Sequence, residues 1–142
     1  MSHDYFKRYV DLYRLRYGHH RAEGRHAGAE GGVVGAGGAI YVRPRSQDAW
    51  REFRPVYDGH PILSSTGSPE DAAPTTGLNA GSPAEIVEQV LAQRDLFGDH
   101  QRQLFAVDMT GIPEQAVHER LDLIGAEVLL PLRRELASKT AA

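Results

Sequence analysis

From Ile86 to Leu96 the apolar residues Ile86, Val87, Val90, Leu91 and Leu96 recur at spacings of three and four, which predicts a helix with one apolar stripe ending near Gly98. Its start is marked by Ser82 as N-cap, Pro83 as first helical residue and Glu85 as the N3 partner of a capping box. Leu104 to Val107 is a short unbroken apolar run closed by Asp108 and the turn residues Thr110 to Pro113, which predicts a strand buried on both faces. From Pro113 to Leu136, Val117, Leu121, Ile124, Val128 and Leu132 keep helical spacing and predict a long last helix, kinked or tightened before Pro131. Leu123, Leu129 and Leu130 widen that stripe beyond what one small sheet can cover, which implies a partner surface.

Upstream, Ala39 to Val42 reads as a strand, and Ala49, Trp50, Phe53 and Val56 as the inner face of a helix capped by Ser46 and ended or kinked by Pro55. Leu78 to Ala80 is a short strand feeding the capped helix. Asp4 to Tyr17 interleaves Tyr5, Phe6, Tyr9, Val10, Leu12, Tyr13 and Leu15 with charged residues, an amphipathic helix with a broad aromatic face. That face is a packing surface or, because aromatic residues make good anchors, a subunit contact.

Two segments break the pattern: residues 18–38 are glycine-rich, and residues 58–80 carry Gly, Pro, Ser and Thr, which predicts a flexible loop. Within the first, His19, His20 and His26 lack a carboxylate or Cys at a spacing that completes a metal shell, so no metal site is expected. The run Gly35-Ala-Gly-Gly38 precedes an apolar strand rather than opening a helix, so it is expected to lead into that strand, not to cradle a phosphate.

Taken in order, Gly81-Ser-Pro-Ala-Glu-Ile-Val, Asp95-Leu-Phe-Gly-Asp-His, Gln103-Leu-Phe-Ala-Val-Asp-Met, Ile112-Pro113, Gly125-Ala-Glu-Val128 and Pro131-Leu-Arg-Arg resemble the carboxyl-terminal end of the bacterial luciferase-like flavin monooxygenases, over about Ala39 to Leu136. The resemblance implies a (β/α)8 barrel fold that uses reduced FMN or a deazaflavin on a small organic substrate. It also implies that this chain covers only the last β/α units, with most of the flavin-binding shell on earlier strands. Many relatives carry His and Ser in the strand that leads towards the flavin, where this chain has Gly37, Gly38 and Ala39.

Length agrees with a part of that fold: 142 residues make one domain but fall short of the roughly 200 residues an eight-fold barrel needs. The fold expected for residues 1–142 is α/β, a partial barrel of about three parallel strands and four helices. Its open sheet edges invite a homodimer or a companion chain that supplies the rest of the barrel.

Charge narrows the partners. With 16 basic and 19 acidic side chains interspersed and a net charge of −3, no nucleic-acid footprint is expected. No window reaches the roughly 18 apolar residues of a membrane span and there is no Cys, so a cytoplasmic protein is expected.

Three residues carry the candidate chemistry. Gly81 and Ser82 open the capped helix, where free N–H groups and the helix dipole favour a phosphate and are the candidate cofactor contacts; the alternative is that the box merely caps its own helix. Asp108 follows a strand, where barrel enzymes place catalytic groups, and its alternative role is to accept backbone bonds in the turn after it. Two functions follow: a component of a flavin-dependent monooxygenase that needs a partner, or a non-catalytic interaction module derived from the same fold.

Overall fold

The computed structural model describes residues 3–22, 35–61, 63–69, 78–97, 102–109 and 111–140. The chain runs α1 (His3–Ala22), β1 (Gly35–Val42), α2 (Ser46–Gly59), a 3-10 turn (Leu63–Thr66), β2 (Asn79–Gly81), α3 (Pro83–Phe97), β3 (Arg102–Ala106), α4 (Glu114–Leu123), a π segment (Ile124–Leu129) and α5 (Leu130–Thr140). The last three are continuous, so four helical rods surround three strands, the α/β content expected from the sequence.

The strands are all parallel, in the order β2-β1-β3. β2 and β3 flank β1, so the strand order reverses at β1. β3 approaches β1 closely: a Cβ on Gly37, whose φ is +152°, would lie 2.1 Å from the Leu104 carbonyl oxygen. The glycine run does not lead into the strand but forms its first half, because only a residue without a side chain lets β3 in so near.

Side chains of β1 alternate between two cores. Ile40 and Val42 pack with Ile86 and Val90 of α3 and with Ile124, Val128 and Leu132 of the terminal rod. Tyr41 points the other way, into Ala49, Phe53 and Tyr57 of α2 with Leu78 and Ala80. The result is helix, sheet, helix in three layers.

Several local expectations are corrected. The β3 run is not buried on both faces: it is an edge strand whose side chains alternate, and Leu104 is 61% exposed. Ser46 is not an N-cap but the first residue of α2, after Arg45 in an extended conformation. Pro55 does not end α2, because it and Arg51, whose carbonyl loses its helical donor, both face solvent, and the helix runs on to bury Tyr57. The predicted loop is thus helical at its start and holds the 3-10 turn; residues 62 and 70–77 lie outside the described residues, as do 23–34 with His26, and 98–101 with the Gly98-Asp-His break.

In the terminal rod Leu121 is 46% exposed and Arg120 takes the buried position. The buried residues Ile124, Val128 and Leu132 recur every four, and extending that spacing backwards reaches 120, not 121. A spacing of four drifts around an α-helix, and the π turn, with its wider repeat, holds the stripe on the sheet. The tightening expected before Pro131 is therefore a widening.

Candidate functional site at the carboxyl edge of the sheet

Open parallel sheets bind ligands outside the carboxyl ends of their strands, where the strand order reverses. Here that point lies between β1 and β3, bounded by Tyr41 and Arg43 from β1 and its exit, by Val107 and Asp108 after β3, and by Glu52, Glu119 and Arg120 from α2 and α4.

Arg120 fills it. Its side chain is fully buried, with the guanidinium carbon 4.3 Å from the centroid of the Tyr41 ring. Nε donates to the Ala116 carbonyl at 3.0 Å and one terminal nitrogen to the Val107 carbonyl at 2.9 Å, while Nη1 is buried without a hydrogen-bond partner among the described residues. Burial pulls its pKa below the usual arginine value, opposed by Tyr41 and Asp108. Burial likewise pushes the Tyr41 hydroxyl up, with the Arg120 charge acting against it. No spacing rule singled out Arg120, since a buried arginine interrupts an apolar stripe rather than continuing it.

Arg43 ties the rim together. Its Nε donates to Glu52 at 2.6 Å and its Nη1 to Glu119 at 3.0 Å, joining α2 to α4 across the end of β1. Burial alone would lower its pKa, and the bonds to Glu119 and Glu52 reverse this and raise it. Glu119 is held below its usual value by Arg43 and then by the Gln115 amide, which donates to it at 3.0 Å. The Tyr41 hydroxyl also donates to Glu52, at 3.4 Å. Each arginine is satisfied or sealed, so the cluster acts as a lock between helices.

Asp108 is exposed beside this cluster, and its charge favours the protonated Arg120. In the turn after it, the Ile112 amide donates to the Met109 carbonyl at 3.2 Å.

Gly81 and Ser82 stand at the end of β2, one strand away. The Ser82 amide donates to Glu85 Oε2 at 2.7 Å and its hydroxyl to the same oxygen at 2.8 Å. The Ser46 hydroxyl reaches Glu85 as well. These bonds, the Ser82 amide foremost, hold the Glu85 carboxyl below its usual value. The carboxylate thereby sits between the starts of two helices, and Gly81 makes room for it, because a Cβ there would lie 2.7 Å from Oε2. Glu85 thus occupies the two Ser82 donors that a flavin phosphate would use.

Among the described residues no group of His, Asp and Glu is arranged to hold a metal ion, and no helix is long and apolar enough to cross a membrane. The chain matches no family model and no curated protein at a significant level.

Proposed function

We propose that this chain is a component of a flavin-dependent oxidoreductase of the luciferase-like kind, acting on a small organic substrate only when a second chain completes the flavin site. The reading is supported by the ordered motifs from Gly81 to Arg134, which fold as strand, capped helix, strand, turn and long helix. The observation that carries its dependence on a partner is the occupation of Ser82 by Glu85. Either FMN or a deazaflavin would then meet its binding groups on the partner, a homodimeric copy or a companion chain, with this chain supplying packing and the exposed Asp108 at the rim.

A second reading, a non-catalytic interaction module, is favoured by Arg120, which plugs the crevice where a substrate would lie. Absorbance between about 350 and 500 nm after gel filtration with FMN distinguishes them. Flavin retained at near one per protomer in an assembly supports the enzyme component. Its loss from every assembly, including one with a companion chain, supports the module.

A further inference from the structure

The terminal rod is built in a register that its apolar pattern does not favour. Counting back from Val128 at about 3.6 residues per turn falls nearest Ile124, Leu121 and Val117, the stripe of an uninterrupted α-helix. In the structure the π segment Ile124–Leu129 takes up one residue more than an α-helix would, so Arg120 stands in the core where Leu121 is expected. At the junction the Ile124 amide is shared between the Arg120 and Leu121 carbonyls.

Three costs meet there. Leu121 is left 46% exposed, the buried Arg120 keeps Nη1 without a partner among the described residues, and a π turn replaces the better-bonded α turn. A slide of α4 by one residue, each residue taking the place of the one before it, removes all three. We infer that α4 exchanges between the register seen and an α-helical one, in which the π turn is straightened, Leu121 fills the Arg120 position and Arg120 leaves the crevice between β1 and β3. The crevice is plugged in the first register and open in the second.

The fold permits the slide. Ile124, Val128 and Leu132 keep their places in the core, and the turn before α4 takes up the spare residue, where Gly111 has a φ of +93° and open space around it. Charge holds the plugged register. The slide brings Arg120 to the place of Glu119, so Arg43 exchanges a carboxylate at 3.0 Å for a second guanidinium. The stack of Arg120 on Tyr41 is lost as well. The plugged register is therefore the major state and the open one the minor state. The exchange belongs to the chain without flavin and holds under either reading of its function.

Helix register shifts fall in the microsecond-to-millisecond range, which NMR relaxation dispersion reads on the full chain. Amides of residues 114–129 are expected to report one concerted exchange process, absent from α3. Leu121→Lys changes only a solvent-facing side chain in the plugged register but forces an ammonium into the core in the open one, so it should lower the minor population by about tenfold or more. Glu119→Gln weakens the bond to Arg43 and should raise that population several-fold. Deletion of the exposed Ala126 takes the extra residue out of the π segment, and the amide shifts of this variant over residues 114–123 should match those of the minor state. Flat dispersion over residues 114–129 in the native chain, a minor population that Leu121→Lys leaves unchanged, or minor-state shifts unlike those of the folded deletion variant overturns the inference. The first two readouts do not depend on the deletion variant folding.

Discussion

The guanidinium of Arg120 lies over Tyr41 with its central carbon 4.3 Å from the ring centroid, so the largest buried side chain of the terminal rod is held by an aromatic face and two carbonyls. A buried cation stacked on a ring is stabilised more strongly than an exposed one, but its unpartnered Nη1 costs part of that gain. Arg120→Ala removes the stack and leaves a cavity, and is expected to cost about 3 kcal/mol. The melting temperature should fall by roughly 10 °C. Arg120→Met fills most of the volume without the orphaned N–H and is expected to lose less than half as much; equal losses would show that charge, not packing, holds the site.

Gly37 faces Leu104 across the sheet with no room for a methyl group. Gly37→Ala therefore forces β3 away from β1, and a loss of about 3 kcal/mol or more is expected in urea unfolding. Gly35→Ala, where the nearest atom would be 3.8 Å from the new Cβ, is expected to be nearly neutral. A neutral Gly37→Ala would mean that the two strands are not in this register.

Glu85 titrates with a folded-state pKa held below its ordinary value of 4.5, chiefly by the Ser82 amide. Its contribution is thus fully present above about pH 4.5 and is lost as pH falls through the depressed folded value. Glu119 and Asp48 are shifted the same way and titrate in the same acid window, so the informative quantity is a difference. Glu85→Gln should be less stable than the native chain by about 1 kcal/mol at pH 7, and that gap should close on acidification. A gap that stays constant down to about pH 2 would remove the carboxylate from the account.

Arg43 bridges Glu52 on α2 and Glu119 on α4 through two different nitrogens. Lysine keeps the charge but offers a single point where the guanidinium offers a fork. Arg43→Lys is expected to cost about 1 kcal/mol, and the Glu119→Gln change should cost less in the Arg43→Lys background than in the native one. Additive losses in that double-mutant cycle would mean the bridge to Glu119 carries no coupling.

What the sequence determined by itself was local. Pro83 and Glu85 announce the start of α3, and the structure places that helix at Pro83–Phe97 with the Ser82 amide bound to Glu85, because capping depends on residues within one turn of each other. The three parallel strands and the helices around them were legible for the same reason, since apolar spacing sets which face of an element must be covered. Exposure was not legible. Leu104 to Val107 reads as fully buried, yet the strand lies at an edge, and only the tertiary order β2-β1-β3 decides that. The same holds at the candidate site. Ser82 reads either as an anion site or as a cap of its own helix, and its amide and hydroxyl both bond Glu85 in the folded chain, while Arg120, which no spacing rule singles out, is buried only once Tyr41 and the Val107 carbonyl are folded around it. Spacing along the chain fixes which side of a helix or strand is apolar; which side is covered, and by what, depends on contacts between residues far apart in sequence.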